Sequence, residues 1–452
     1  MTLRNDTTAR PAPPAVDPRT WRKAAIRIMP IVALAYLMSY IDRVNLGYIA
    51  GPIGQSLSMT TAQVGFASSI FFVGYILLEV PSNMALHRFG ARKWIARILI
   101  SWGILTGITG AVTTVQEFYL LRLLLGFAEA GLAAGILLYL TYWFPRKHRG
   151  WASSLFMLTI PLAGIIGAPM AAALLAWGQE AFGIAGWRDL FILEGVLTVI
   201  AGAVVLLFLT DRPRDAKWLT PDEREQIQGV LDFERERQLA DGALTSLRQS
   251  LTSGRVWALG IAFFAIVFGL YPLAFFLPTM ISGLTGFLGA SSADAALLSA
   301  IPSVAAIIVM IIWARMAQNM NAVAATVAPM ALGAIGLLLA TFTHQGVIFI
   351  VAACLGTAGI YTAMPQFWRL PAQTLTGAAA AGGIAVINTV SNLSGVFGPS
   401  ITGAIQTATG SFTDALLGIA LIMIAGIAIV LTVGRKVDRV GTTAPLGTDA
   451  LV

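Results

Sequence analysis

Ile28-Met29-Pro30-Ile31-Val32-Ala33-Leu34-Ala35-Tyr36-Leu37-Met38-Ser39-Tyr40-Ile41-Asp42-Arg43-Val44-Asn45-Leu46-Gly47 is a run of twenty residues whose only charges are the adjacent Asp42 and Arg43. About 20 mostly apolar residues are what a helix rising about 1.5 Å per residue needs to cross the roughly 30 Å hydrocarbon core of a bilayer. The stretch therefore reads as a membrane-spanning helix. A charge near the bilayer centre costs roughly 3 kcal/mol on insertion scales, so such residues face a cavity and carry function, or lock helices together as buried ion pairs. Arg122 and Glu129 raise the same question in a second apolar stretch.

Eleven more stretches share this character. The twelve lie near 27–50, 62–86, 94–114, 117–141, 150–177 and 187–210, then 256–281, 294–316, 321–343, 346–370, 376–405 and 411–434. Composition agrees: 57% of the 452 residues are hydrophobic, 11% are charged, and mean hydropathy is +0.78. A soluble globular domain is excluded. Of the 29 Lys and Arg and 22 Asp and Glu, 16 crowd into the segment from Asp211 to Arg248, which belongs in water.

These features predict five regions: a disordered cytoplasmic tail (1–25), a six-helix bundle (26–210), a cytoplasmic linker (211–255), a second six-helix bundle (256–434) and a cytoplasmic tail (435–452). Thr220-Pro221-Asp222 opens a short linker helix, with Pro in its first turn. With the N-terminus in the cytoplasm, 26 of the 29 cations fall in tails, cytoplasmic loops or adjoining helix ends. That follows the positive-inside rule. The formal charge of +7 thus records orientation, not a nucleic-acid partner. The two halves echo each other as well, since Gly164-x-x-Gly167-x-Pro169 in the fifth stretch returns as Gly395-x-x-Gly398-Pro399 in the eleventh. Such an offset predicts parallel repeats.

Several chemistries find no support. Cys354 is the single cysteine, and His87, His148 and His344 are too scattered for a metal site. No phosphate-cradling glycine loop, His-Glu-x-x-His or Gly-x-Ser-x-Gly occurs. The expectation is no cofactor, no metal and no enzymatic activity.

Depth decides which charges can meet. Asp42 and Arg43 lie roughly two-thirds of the way across from the cytoplasmic side, and Arg122, entering from outside, sits at a comparable level. Glu129 is seven residues further along, on the same helix face and about 10 Å deeper. Neighbours in sequence point apart, so Arg43 is expected to reach another helix or a ligand, and Arg122 to pair with Asp42 or Glu129. Arginine suits a carboxylate, while a buried carboxyl can hold a proton near neutral pH. Weaker candidates are Glu79 and Glu194 as packing or gating residues, Tyr40, Tyr75, Tyr139 and Trp368 as cavity-lining or packing aromatics, and Asn388 with Asn392, one turn apart on one helix.

The chain resembles the major facilitator superfamily, and within it the anion:cation symporters. The resemblance rests on Tyr40-Ile41-Asp42-Arg43-Val44-Asn45, Leu78-Glu79-Val80-Pro81-Ser82-Asn83, Arg122 to Glu129, Gly186-Trp187-Arg188, Phe367-Trp368 and Leu375-Thr376-Gly377-Ala378. It implies an all-helical inner-membrane protein of twelve spans in two pseudo-symmetric bundles, a functional monomer. The implied activity is proton-coupled uptake of a tartrate-like dicarboxylate, a sugar acid or an aromatic acid such as phthalate. Residues matching Arg43, Arg122, Tyr40, Tyr75, Trp368 and Asn388 would surround the anion and those matching Asp42 and Glu129 would couple protons; to these the reading of the residues adds Asn392, one turn from Asn388, for the substrate and Glu79, Arg88 and Arg92 for gating. The family's usual Gly-x-x-x-Asp-Arg-x-Gly loop carries Asn83 and His87 in place of its first Gly and its Asp. The antiporter signature is incomplete around Gly167 to Pro169, which leans against drug efflux; the alternative is an anion exchanger or an exporter of amphipathic compounds.

Overall fold

A computed structural model describes residues 16–145, 148, 152, 155–240, 252–285, 291–343, 345–374 and 378–441, and among these residues every regular element is helical. The helices are α1 (Pro18–Leu57), α2 (Thr61–Phe89), α3 (Ala91–Thr109), α4 (Val115–Glu129), α5 (Leu132–Thr141), α6 (Thr159–Phe182), α7 (Gly186–Phe208) and α8 (Pro221–Ala240). They continue with α9 (Gly254–Thr285), α10 (Ser292–Leu298), α11 (Ala300–Met316), α12 (Ala322–Phe342), α13 (Gly346–Phe367), α14 (Arg369–Thr374), α15 (Ala378–Thr409) and α16 (Thr413–Gly441).

Eleven helical stretches of the described residues are long and apolar enough to cross a membrane. The twelfth span is α3, whose 19 residues reach about 28 Å but whose first two turns carry Arg92, Lys93 and Arg97. Cations at one helix end snorkel out of hydrocarbon along their apolar stems. Arg97 lies over the Trp94 ring at 4.1 Å, and Arg92 Nε donates to the Leu206 carbonyl. The outer surface matches a hydrocarbon solvent, with Leu77, Val80, Leu207, Phe342 and Val347 all more than half exposed. Water would not tolerate apolar exposure on that scale in a monomer.

Several boundaries differ from expectation, and α1, for one, runs on to Leu57, past the expected end at 50. Residues 18–25, expected in a disordered tail, are the first turns of α1. Asp17 caps them by accepting the Arg19 N–H at 2.8 Å, and Pro18 at the first position has its torsion preset for a helix. The span expected over 117–141 is two helices, because the chain breaks at Ala130 and Gly131 takes a left-handed φ of 82°. Glycine alone adopts that region without a Cβ penalty. Helix α16 runs on to Gly441, past the expected end at 434. The Leu375-Thr376-Gly377 motif, residues 1–15 and 442–452, and most of the start of the 150–177 stretch lie outside the described residues.

In the first half α2 packs on α4, α3 on α7, and α1 on α6 and α7; in the second, α12 packs on α13 and α16, and α9 on α15 and α16. The halves meet where α2 lies along α15, α1 along α9, and α6 along α10 and α11. The repeated glycine motif explains part of this. Gly164 and Gly167 of α6 face Ser303 of α11 and Asn45 of α1, while Gly395 and Gly398 of α15 face Phe72 of α2 and Pro272 of α9. Each motif serves one contact across the halves and one with a first helix of a repeat, as pseudo-twofold symmetry requires. Small residues allow this because membrane helices gain stability by close van der Waals approach.

The linker helix α8 is tied to α1 by an ion pair of Lys23 Nζ with Glu223 Oε2 at 2.8 Å. The same carboxylate accepts the Thr220 N–H, and together Lys23 and Thr220 hold it below its ordinary range. A group whose folded value is depressed stabilises the fold above its unfolded value, about 4.3, and that contribution is lost as pH falls through the folded value. Glu223→Gln is therefore expected to raise amide exchange in α8 at neutral pH but not in strong acid. An equal difference at both pH values would refute the tie.

Candidate functional site

The break after Glu129 ends α4 on the residue that the site needs. Glu129 is fully buried, and its Oε1 accepts Arg43 Nη2 at 2.5 Å, Arg43 Nε at 3.1 Å and Ser39 Oγ at 2.6 Å, while Oε2 has no partner among the described residues. Gly126, one turn earlier, lies against the Phe71 carbonyl so closely that any Cβ would collide, which is how α4 gets near enough to α2. Arg43 is in turn ringed by aromatics. Its guanidinium carbon lies 5.3 Å from the Tyr40 ring, 5.2 Å from Tyr75, 5.5 Å from Phe71 and 5.6 Å from Phe72. Tyr271 of α9 packs on Phe72 at 4.4 Å, so the second half closes this box.

A second pair lies beside the first. Arg122 is fully buried, with Nη1 3.9 Å from Asp42 Oδ2, Nε donating to the Ala67 carbonyl at 3.4 Å, and its guanidinium 5.0 Å from the Phe71 ring. Asp42 Oδ1 accepts Thr106 Oγ1 at 3.0 Å, yet Asp42 Oδ2 and both Arg122 terminal nitrogens have no hydrogen-bond partner among the described residues. Phe71, with both the Arg43 and the Arg122 guanidinium within 5.5 Å of its ring, joins the two pairs. Buried charges normally find partners, so a cluster left half satisfied is suited to change partners.

The structure thus brings together Arg43, Glu129, Tyr40, Tyr75, Arg122 and Asp42. Of the two partners expected for Arg122 it takes Asp42, and Glu129 goes to Arg43, because α4 turns Glu129 toward Ser39 and Arg43 on one face of α1. Other expected residues stand apart from this cluster. Asn392 Nδ2 donates to Glu79 Oε2 at 3.2 Å across the halves, Asn388 is half-buried with its backbone carbonyl taking Ser391 Oγ, and Trp368 packs on Phe263 at 5.0 Å. Tyr139 donates to the Thr210 carbonyl at 2.6 Å and is a packing residue. Arg88 is exposed over Phe89, and the Arg92 N–H donates to Asp211 Oδ1 at 2.8 Å. That aspartate, from the linker side of α7, supplies an acid at the α2–α3 turn where His87 replaces the usual one. His87 Nδ1 itself lies 3.1 Å from Tyr142 Oη.

Sequence reasoning did not single out Ser39, Thr106, Phe71, Phe72 or Tyr271. Ser39 and Thr106 carry a weak signal as polar residues inside apolar runs, but a lone hydroxyl can satisfy itself on its own helix, and only packing shows that these two do not. A narrow cavity of about 30 Å³, enough for roughly two waters, lies where the halves meet. Val44, Tyr48, Gly164, Ser299, Ser303 and Tyr361 are among its walls.

The sequence pattern of the Major Facilitator Superfamily matches residues 32–399. The "Putative tartrate transporter" of Agrobacterium vitis is 38% identical over 434 residues, covering 95% of this chain and 98% of that protein. A "Quinolone resistance transporter" of Acinetobacter baumannii is 33% identical over 419 residues, covering 92% and 95%. Among solved structures, the xylose transporter XylE from E. coli in a partially occluded inward-open conformation superposes with a TM-score of 0.69 at 16% identity, over 91% of this chain and 98% of that one. Twelve helical spans in two halves, a half-satisfied charge cluster in the first of them and this match together make the chain a multi-pass membrane transporter belonging to the major facilitator superfamily.

Proposed function

We propose that this transporter takes up a small organic anion together with protons, the anion being a hydroxy-dicarboxylate such as tartrate, a sugar acid or an aromatic carboxylate. The observation that carries this is the Arg43–Glu129 pair inside a ring of Tyr40, Tyr75, Phe71, Phe72 and Tyr271. A carboxylate ligand and the Glu129 carboxylate compete for one guanidinium. Protonation of Glu129 removes the competitor, frees Arg43 for the anion and keeps the buried charge constant. Proton and anion therefore enter as a unit, and Asp42 beside Arg122 provides a second place for a proton. The aromatic box excludes water, which strengthens the ion contact. Alternating access follows as rocking of one bundle (26–210) against the other (256–434) about this site.

The name of the Agrobacterium vitis relative supports the substrate class, and the distribution of Lys and Arg supports cytoplasmic termini in an inner membrane. Uptake of labelled tartrate by proteoliposomes is expected to rise as external pH falls and to collapse with a protonophore. Glu129→Gln, a permanent mimic of the protonated acid, is expected to keep counterflow exchange and lose proton-driven accumulation. Unimpaired accumulation in this variant would remove Glu129 from coupling. The quinolone-resistance relative favours a second reading, export of amphipathic compounds. Flux direction in vesicles under an imposed pH gradient separates the two.

A further inference from the structure

We propose that Glu194 of α7 is a third carboxyl of the charge cluster, a positioning residue that holds a proton next to Arg122 and exchanges it with Asp42. This rests on the proton-coupled reading above. Glu194 is 3% exposed, and neither of its oxygens has a hydrogen-bond partner among the described residues. Its neighbour Gly195 lies against Gly103 and Gly107 of α3, the helix whose Thr106 donates to Asp42. That close approach brings Glu194 within electrostatic reach of Asp42 and Arg122.

Charge counting gives the argument its force. Among the described residues, Asp42, Glu129, Glu194 and Glu79 have only two guanidiniums, Arg43 and Arg122, within electrostatic reach. Fully ionised, the cluster would carry an excess negative charge in a medium where unpaired charge is heavily penalised. Protons on the carboxyls with fewest donors relieve it. Glu129 Oε1 takes three donors and Asp42 and Glu79 take one each, whereas Glu194 takes none, so Glu194 is the first place where a proton rests. Among the described residues, the groups in electrostatic reach of Glu194 are Asp42 and Tyr48 of α1 and Arg122 of α4. Tyr48 lines the cavity between the halves, donates to the Gly164 carbonyl at 3.4 Å and is within electrostatic reach of Glu194. Asn45, buried with both amide atoms unpartnered, lies on the same stretch of α1. Glu194 and Asp42 share no hydrogen bond in this structure, so each transfer requires them to close to that distance; the carboxylic O–H bond of Glu194 then breaks as the O–H bond of Asp42 forms, and Arg122 stays protonated throughout.

The test is infrared spectroscopy of the purified full chain with Glu194→Gln and Glu129→Gln beside wild type, paired with labelled-tartrate transport against pH. The carbonyl stretch of a protonated carboxylic acid should be present in wild type at neutral pH, persist in Glu129→Gln, where three carboxyls still face two guanidiniums, and lose its Glu194 component in Glu194→Gln. The latter should keep counterflow and show a displaced pH profile of uptake. An unchanged band, or an unchanged pH profile, in Glu194→Gln overturns the proposal. If that variant does not fold, Glu194→Asp should keep the band at a shifted position, and loss of the band there overturns it equally. Wild-type accumulation that ignores a protonophore, with the Glu194 component lost in Glu194→Gln, would defeat the coupling reading while leaving the resting proton on Glu194.

Discussion

Arg43→Ala is expected to abolish transport and also to destabilise the protein, and the two losses have separable causes. Removal of one partner from a buried ion pair costs about 3–5 kcal/mol because the other charge is left without compensation. Here that charge is Glu129, which would keep only Ser39 Oγ as a donor. Replacing both partners by uncharged groups of similar shape is close to neutral for stability. The double variant Arg43→Met with Glu129→Gln should therefore recover most of the lost melting temperature and none of the transport. Arg43→Lys should fare little better in transport, since an ammonium cannot offer Nε and Nη2 together in the fork that Glu129 now occupies. If the double variant transported tartrate, Arg43 would be a structural partner of Glu129 and the anion site would lie elsewhere.

Gly65→Val should trap the transporter with one end of the cleft open. At this end α2 lies directly along α15. A Cβ on Gly65 would collide with the Pro399 carbonyl, and one on Gly403 would sit 3.2 Å from Ala62 Cα. Ser400 Oγ donates to Ser69 Oγ at 2.7 Å, and the Ala62 N–H donates to Thr407 Oγ1 at 2.9 Å. Overpacking a well-packed contact costs about 1–3 kcal/mol, which moves a two-state equilibrium roughly 5- to 150-fold. Uptake should fall by a comparable factor. In a Cys354→Ser background, Ser69→Cys should be protected from a polar thiol reagent, since Ser69 is buried, and become reactive when Gly65→Val is added. Full transport with continued protection would mean that this contact is not a gate.

Much of the fold was legible because hydrocarbon imposes a blunt rule on sequence. Each span must satisfy its backbone internally and present apolar side chains outward, so length and hydropathy mark it whatever its neighbours are. Exceptions fall where local chemistry overrides that rule. Gly131 breaks a run that hydropathy makes continuous, and Asp17 with Pro18 starts α1 inside a polar segment that composition assigns to a tail. The charged residues of the site were legible for the same reason, because Asp42, Arg43, Arg122 and Glu129 stand out against an apolar background. Glu194 stood out as well, yet one sequence could not say whether it faced lipid, a neighbouring helix or the cluster.

The sequence by itself determined the number and approximate position of the spans and the identity of the intramembrane charges, since each depends on transfer of a residue from water to hydrocarbon and hardly on its neighbours. Only the tertiary structure decided which charge meets which: that Glu129 goes to Arg43 and Asp42 to Arg122, that Phe71 lies near both guanidiniums, and that Tyr271 closes the box from the other half. Those outcomes depend on helix rotation and approach within an ångström or two, set by contacts such as Gly126 on Phe71 and Gly195 on Gly103. No single helix carries that information, because it belongs to pairs of helices far apart in the chain.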